Sequence, residues 1–342
     1  RGWGSLSPSP ETRLHLVIYK GVFAVGNLIR LIGRRLVALP IMVLGITFLV
    51  FFIMSFSPID PAYNALGEGA SQEALDKYRE EYGLNQPLLV RYASFLWGLL
   101  HADLGTYTSQ RLPVSDRIGQ AFPTTISLTF YGLIIAVVFA LIFGVLAALY
   151  RDRWVDQVIR VVSIIFVATP SFWLAVLLIQ AFTISNDIFP AAGPLTAFSD
   201  DPNAYMMRML MPSFALGVPV AGSLIRVVRT SMVEELDKDY VRTALGAGLP
   251  KFVVVARNVL RNALITPVTV LGLRIGYLMG GAVIIEVIFA LPGMGQAILE
   301  GIQQNEPYLV QGVTLVVALA FVIINIVVDM LYILINPRIR TV

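Results

Sequence analysis

The sequence predicts an all-α, polytopic membrane protein with about six transmembrane helices. Of its 342 residues, 57% are hydrophobic and 14% are charged, whereas a soluble domain is about 45–50% apolar and about 25% charged. Three stretches without a charged residue, 36–56, 124–150 and 161–186, are 21, 27 and 26 residues long. Because about 20 apolar residues cross the hydrocarbon core as a helix, these stretches predict membrane spans rather than soluble core helices.

The spans divide the chain into segments. A cytoplasmic amino-terminal segment, 1–35, precedes the first predicted transmembrane helix, 36–57, and an external segment, 58–123, follows it. The remaining five spans are predicted at 124–150, 158–184, 209–228, 263–289 and 308–335. The fourth has the shortest uncharged stretch and contains Pro212 and Pro219, which neighbouring helices accommodate within a membrane.

The basic residues predict the orientation. With the amino terminus in the cytoplasm, 18 of the 25 lysine and arginine residues fall in cytoplasmic segments, and the external loop 291–307 has none. An excess of lysine and arginine in cytoplasmic loops is typical of membrane proteins. We therefore expect both termini to lie in the cytoplasm.

The external segment is long enough to contain helices. Residues 71–82 are predicted to form one, with Ser71 as its cap and Gly83 at its end. Its shared face would carry Leu75, Tyr78 and Tyr82. Residues 88–100 are apolar but too short to span, so we expect them at the membrane interface or over the outer mouth; a plain linker is the alternative.

Several classes of function lack the residues they need. The chain has no cysteine and only two histidines, His15 and His101, in separate segments, so neither a metal site nor a catalytic site is expected. Phosphate-binding loops end in Gly-Lys, and none of the four lysines follows a glycine. The net charge of +3 is explained by the cytoplasmic loops, so nucleic acid is not an expected partner.

The cytoplasmic loop 232–262 is unusually charged for a membrane connection. Two helical stretches flank a break at residues 246–250, Gly-Ala-Gly-Leu-Pro. Glycine destabilises helices, and a residue before proline avoids helical torsions, so a helix, a sharp turn and a second helix are predicted. Phe252, Val255 and Val259 would give the second helix an apolar face under the spans.

This loop resembles the coupling loop of ABC-importer permeases. The family pattern is Glu-Ala-Ala, three residues, Gly, and then a hydrophobic-x-Leu-Pro group. Here Arg242-Thr243-Ala244, Gly248 and Leu260-Arg261 occupy those places. The departures are similar to the dipeptide/oligopeptide subfamily, which has Tyr-Val-Arg-Thr-Ala and Leu-Arg-Asn-Ala, although Asn258 stands where that subfamily often has His.

The resemblance extends over about residues 30–342. Residues 280–283, Gly-Gly-Ala-Val, together with Glu286, Phe289 and residues 292–295, Pro-Gly-Met-Gly, resemble the fifth-span signature of peptide-importer permeases. The outer segment and the closing segment fit through Tyr82-Gly83-Leu84, Pro87, Gly105, Asn325, Asp329, Tyr332 and Asn336-Pro337-Arg338-Ile339-Arg340. On this resemblance, 124–342 is the permease core, with the coupling loop at 232–262.

The resemblance implies a pore-forming subunit of an ATP-driven importer in a bacterial-type inner membrane, carrying di- or oligopeptides. Its partners would be a second homologous permease, two ATP-binding cassette subunits and an external solute-binding protein. The chain itself would be no enzyme and hold no cofactor, since ATP and Mg²⁺ would bind the ATPases. Residues expected to contact an ATPase are Asp239, Tyr240, Arg242, Thr243, Ala244, Gly248, Leu249 and Pro250. The alternative is a solvated charged loop.

The fifth span carries further candidates. Gly272, Gly276 and Gly280, four residues apart, predict a smooth strip for helix packing. Arg274 lies mid-span and should face protein or water, either lining the pore or pairing with a carboxylate of the partner permease. Glu286, near the outer end, would orient the outer mouth or reach the headgroups.

Other functions stay open as alternatives. The cargo could be another solute, such as a nickel chelate or haem. An ATP-independent transporter or channel would be expected to show inverted repeats or intramembrane coupling residues, which are not evident. A membrane-embedded protease would need a serine–histidine pair within the spans, and no span contains histidine.

Overall fold

A computed structural model describes residues 33, 40–56, 60–67, 69–107 and 110–335. Most of this part is helical and its only strands are two short ones, which agrees with the all-α prediction. The predicted segment 1–35, apart from residue 33, and the closing residues 336–342 lie outside the described residues. The six-span count and the placement of both termini in the cytoplasm therefore stay predictions.

Four helices and a short hairpin form the amino-terminal part. The helices are α1 (Pro40–Ser55), α2 (Pro61–Leu66), α3 (Gln72–Glu81) and α4 (Leu88–Leu100). The hairpin pairs β1 (Thr106–Tyr107) with β2 (Leu112–Pro113) in antiparallel register. As predicted, Ser71 caps α3 by accepting a hydrogen bond from the Ala74 N–H, and Gly83 follows the helix at φ +62°. Helix α4 packs against α1, where the Tyr92 hydroxyl donates to the Leu44 carbonyl at 3.0 Å.

The rest of the chain contains the long helices. They are α5 (Val114–Leu149), α6 (Trp154–Ala168), α7 (Ser171–Ile179, continued by a π-helical turn Gln180–Ile184), α8 (Pro202–Leu236), α9 (Asp239–Gly246), α10 (Lys251–Val253, continued by a π-helical turn Val254–Val259), α11 (Leu260–Ala263), α12 (Ile265–Ile288), α13 (Met294–Gln303) and α14 (Pro307–Ile335). Among the described residues, α5, α8, α12 and α14 are each long and apolar enough to cross a membrane.

The predicted third span, 158–184, is not one straight helix. Helices α6 and α7 meet at an angle of 98°, so they form a broken span or a re-entrant loop. The break follows from Pro170, because the residue before a proline is pushed out of the helical region; Thr169 there is extended, with ψ 115°.

Helix α8 is the centre of the fold and is longer than the predicted span 209–228. It packs against α5, α6, α7 and α12, and 78% of its most apolar window is buried within the protein. Small residues allow the close packing: a Cβ on Gly217 would collide with the Gly132 carbonyl of α5, at 2.5 Å, and a Cβ on Gly222 with Phe166 of α6, at 2.7 Å.

A second, smaller core lies at the predicted outer end. It joins the start of α5, helix α13 and the start of α14 through Val114, Met294 and Leu309, all fully buried. An ion pair reinforces it, since the Arg117 guanidinium donates to Glu300 Oε2 at 2.9 and 3.0 Å.

Candidate functional site: the coupling element

The predicted coupling element, residues 239–263, lies between α8 and α12. It is a helix–turn–helix, in which α9 is the first helix and α10 to α11 form the second. Helix α9 ends at Gly246, and Gly248 has φ +83°, a left-handed torsion that suits glycine. The Gly248 N–H donates to the Leu245 carbonyl at 3.0 Å, which closes the turn, and α10 begins after Pro250. This confirms the predicted break at residues 246–250.

The inner face of the element belongs to the main core. Val241, Val254 and Val259 are 4%, 1% and 0% exposed and pack with residues of the transmembrane helices. Val255 is also buried, as predicted. The prediction for Phe252 was wrong: its side chain is 81% exposed, because α10 is a single turn that directs this residue away from the spans.

The outer tip of the element consists of residues 245–253, all of which are exposed. It combines large apolar side chains, of Leu245, Leu249 and Phe252, with polar ones. Next to it, the Asp239 and Arg242 side chains are 99% and 76% exposed, and their contact is loose at 4.0 Å. Exposed apolar residues clustered within a polar rim are typical of protein interaction sites.

Tyr240 connects the element to the end of α8. Its hydroxyl donates to Glu235 Oε1 at 2.8 Å and accepts from the Asn262 amide at 3.4 Å. Lys238 holds the other oxygen of Glu235 at 2.5 Å. Burial raises the pKa of the Tyr240 hydroxyl, and the Glu235 carboxylate raises it further, so Tyr240 stays protonated and donates at neutral pH. One cluster thus joins α8, α9 and α11.

A second set of ion pairs joins the carboxyl-terminal part of α8 to the start of α6 and to the loop before it. Arg229 of α8 binds both carboxylate oxygens of Asp156, which is fully buried, at 2.6 and 2.7 Å. Near it, Arg151 binds Asp237 at 2.8 Å between exposed side chains. The end of α8 is thus tied to α6 as well as to α9.

Comparison with known proteins identifies the family. The model of the family described as "Binding-protein-dependent transport system inner membrane component" matches residues 140–341. A second model, of the N-terminal region of binding-protein-dependent transport system membrane components, matches residues 28–129. The chain belongs to this permease family. It is a multi-pass inner-membrane component of an ABC importer, and a system of this kind works with a solute-binding protein and an ATPase.

Several relatives match most of the length of this permease. A protein named as a peptide transport system permease in Brucella abortus (strain 2308) is 38% identical over 303 residues, 89% of this chain and 96% of that protein. One named as a D,D-dipeptide transport system permease, DdpB, in Escherichia coli (strain K12) is 35% identical over 90% and 97% of the two chains. The glutathione transport system permease GsiC of Salmonella typhi is 36% identical over the same shares.

The glycine strip of the permease's α12 is only partly a packing surface. A Cβ on Gly272 would overlap Val328 of α14, and one on Gly276 would lie 2.7 Å from Phe321 of α14. A Cβ on Gly280 would meet no described atom within 4 Å, and this residue is exposed. Gly280 is therefore not at a helix contact with any described residue, although the sequence placed it in the same strip.

Arg274 lies half-buried on the same helix. It forms no ion pair or hydrogen bond with any side chain that the structure describes. Next to it runs an exposed stripe of α12, formed by Leu273, Tyr277, Gly280 and Ile284. Within the described part of the chain the guanidinium is thus unpaired.

Glu286 is fully buried inside the permease, so the expectation that it reaches the headgroups was wrong. Its Oε2 accepts a hydrogen bond from the Gly295 N–H at 2.7 Å. Gly293 lies so close that a Cβ there would overlap the carboxylate. Glu286 therefore holds the Pro-Gly-Met-Gly turn before α13 and leaves no room for a side chain at Gly293, while a Cβ on Gly295 would overlap the Val283 backbone of α12.

The buried acids on the predicted cytoplasmic side were not predicted from the sequence. Glu235 and Asp156 are 7% and 0% exposed, and each is held by residues from another element. A weak signal existed for Asp156, which is flanked by Arg151, Arg153 and Arg160 in a loop otherwise read as basic. No local pattern distinguishes Glu235 from the neighbouring Glu234.

Proposed function

We propose that this permease forms half of a peptide-translocation pore, paired with a second homologous permease and driven by two ATPase subunits. The cargo proposal rests on the relatives, whose names specify peptide, D,D-dipeptide and glutathione transport. The mechanism rests on the coupling element. We propose further that the chain has no catalytic activity and no cofactor, with ATP and Mg²⁺ on the ATPases, since no lysine follows a glycine as a phosphate-binding loop requires.

The exposed tip at residues 245–253 is the observation that carries this proposal. Leu245, Leu249 and Phe252 present exposed apolar surface, and removing such surface from water favours protein association. Asp239 and Arg242 flank the tip and barely contact each other, so both can bind polar groups of an ATPase. Thr243, Gly248 and Pro250 are exposed on the same side.

The Tyr240 cluster supports transmission of force from the tip to the spans. Tyr240 and Ala244 lie on the inner side of α9, against the core, so they serve the link rather than the docking surface. A push on α9 would pass through Tyr240 to Glu235 at the end of α8, and through Asn262 to α11 and α12. Because α8 is the most buried helix, its displacement would move the packed bundle.

The exposed stripe of α12 supports a pore or subunit interface. Leu273, Tyr277 and Gly280 face away from the chain's own core. An arginine in a membrane is stable only against protein or water, so Arg274 would face the pore or pair with a carboxylate of the second permease. Replacement of Arg274 by Gln would alter uptake in the first case and weaken subunit assembly in the second.

Docking can be tested with two glycines of nearly equal torsion. Gly248 has φ +83° and Gly67, in the predicted external segment, has φ +82°, and neither has a neighbour within 4 Å of its Cβ position. Gly248→Trp and Gly67→Trp therefore both place a side chain at a left-handed φ with open space around it. We expect Gly248→Trp to insert normally but to lose co-purification with the ATPase, while Gly67→Trp retains it.

A second variant tests the apolar contact. Phe252→Asp removes an exposed side chain and should leave the fold unchanged, yet abolish ATP-dependent uptake of a labelled dipeptide by the reconstituted importer. Retained ATPase binding in both Gly248→Trp and Phe252→Asp would refute docking at this tip. Uptake of a nickel chelate or haem in place of peptide would refute the cargo proposal alone.

A further inference from the structure

A cavity of about 640 Å³ opens in the predicted external part, apart from the coupling element. It lies between α1, α3, α4, the segment around the β-hairpin and the start of α14. Sites for small molecules usually measure about 300–1,000 Å³. Aromatic rings, including those of Tyr78, Tyr82 and Tyr308, form much of its lining.

Two arginines line this cavity without a carboxylate partner among the described residues. The Arg91 guanidinium lies 5.8 Å from the ring centre of Phe51, and that of Arg111 lies 5.7 Å from the ring centre of Tyr82. Other arginines of this region are paired, Arg79 with Asp60 and Arg117 with Glu300. A guanidinium held on an aromatic ring keeps its N–H donors free for a carboxylate or phosphate.

Acidic residues line the same cavity. Glu80 and Glu81, at the end of α3, are exposed and form no ion pair with a described residue. Asp103 also lines it, and its Oδ1 accepts a hydrogen bond from the Gly105 N–H at 2.9 Å. A ligand that satisfies both sets of charges must carry an anionic group and a cationic group.

A buried polar side chain supplies an independent indication of a ligand. Gln311 of α14 lines the cavity and is only 6% exposed, and its Oε1 has no hydrogen-bond partner among the described residues. Buried acceptors are rarely left unpaired in native proteins. Nearby, burial raises the pKa of Tyr78 to about 12, so its hydroxyl stays protonated as a possible donor to a ligand.

We propose that this cavity binds a zwitterion, with its carboxylate or phosphate on Arg91 and Arg111, its ammonium towards Glu80 and Glu81, and a donor group on Gln311. Two sources have this chemistry. One is a short peptide or amino acid in solution, and the other is the headgroup of phosphatidylethanolamine in the outer leaflet, next to α1. The inference rests on the cavity's own residues and not on the proposed cargo or on the coupling element.

The test uses the full chain in lipid nanodiscs made only of phosphatidylglycerol, which lacks the ammonium. Titration calorimetry with the dipeptide Ala-Phe tests the soluble source. Native mass spectrometry after exchange into phosphatidylethanolamine discs tests for a retained lipid of that kind. Binding of either ligand, abolished when its amine is acetylated, supports the proposal; binding of neither overturns it.

Variants locate the site. Arg91→Gln and Arg111→Gln should each weaken binding about tenfold or more, because each removes a charge-assisted hydrogen bond. Lys77→Gln, which removes an exposed cation of α3 outside the cavity lining, is the matched control and should bind as the wild type does. Equal affinity in all three variants would place the ligand elsewhere and overturn the proposal.

The variant Gln311→Leu distinguishes a loss of ligand binding from a loss of folding stability. If the cavity binds a ligand, this variant should lose affinity while its melting temperature without ligand stays equal or rises, because an unpaired buried acceptor has been removed. A fall in melting temperature with unchanged affinity would assign Gln311 a purely structural role and contradict the proposed contact.

Discussion

The Arg229 guanidinium of α8 binds both carboxylate oxygens of Asp156 at the start of α6, at 2.6 and 2.7 Å. Asp156 is fully buried and also accepts a hydrogen bond from the Asp152 N–H at 3.0 Å. The pair joins the two helices next to the coupling element. It therefore fixes α6 to the helix that would receive the movement of α9.

Loss of one member of this pair should be costly. Asp156→Leu leaves the Arg229 charge largely buried and unpaired, and breaking a buried pair costs about 3–5 kcal/mol. We expect a clear fall in the thermal unfolding temperature of the full chain in detergent. The double variant Asp156→Leu/Arg229→Leu should recover much of the loss, since it removes the largely buried charge of Arg229 as well, and Arg160, whose Nε lies 3.7 Å from Asp156, is exposed enough to be solvated. Equal instability of the single and double variants would show that the ion pair itself contributes little.

We expect the hydrogen bond from Tyr240 to Glu235 to affect the coupling of ATP hydrolysis to transport more than it affects folding stability. Tyr240→Phe keeps the ring in place and removes the hydrogen bond to Glu235, a loss of about 1 kcal/mol. We expect the assembled importer to hydrolyse ATP but to transport less solute per ATP. Tyr150→Phe, at the exposed end of α5, is the matched control. A normal transport-to-ATP ratio in Tyr240→Phe would contradict transmission through this hydroxyl.

The turn of the coupling element was predictable because its cause is local. Gly248 permits a left-handed torsion and Pro250 fixes its own φ, and the structure has the break where the sequence placed it. The orientation of Phe252 was not predictable in this way. It depends on where α10 meets the core, and a single helical turn has too few residues to show periodicity.

Helix α8 shows why mean hydropathy alone gives a weak signal for a membrane helix that is surrounded by protein. Its window is the least apolar of the four described candidate spans, yet it is the most buried. A helix surrounded by protein needs small residues for close packing, such as Gly217 and Gly222, more than it needs lipid-compatible side chains. The buried acids Asp156 and Glu235 escaped prediction for a related reason, since their partners lie on other helices.

Gly276 and Gly280 of α12 lie on different surfaces. Gly276 packs against α14 of the same chain, whereas Gly280 is exposed. Gly276→Leu should destabilise the permease, because a side chain there collides with Phe321 and Asn325 of α14, and overpacking costs about 1–3 kcal/mol. Gly280→Leu should leave the isolated chain as stable as the wild type, since its Cβ position is open. Thermal unfolding of both variants measures the difference. Equal destabilisation would contradict the separation of the strip into two surfaces.

We expect Arg208 to stabilise the predicted outer end of the helix bundle. It lies in α8, is 3% exposed, and donates to the carbonyls of Ala191 and Phe289, each at 2.6 Å. The Phe289 carbonyl belongs to the end of α12, where unpaired carbonyls favour a cation. Arg208→Met should therefore release both segments, and hydrogen bonds to a charged group contribute about 1.5–3 kcal/mol each. We expect a lower unfolding temperature and faster proteolysis of the segment around Ala191. Arg208→Lys should recover only part of the loss, because one ammonium cannot reach both carbonyls as a planar guanidinium does; full recovery would show that charge alone, and not the bridging geometry, stabilises this end of the bundle.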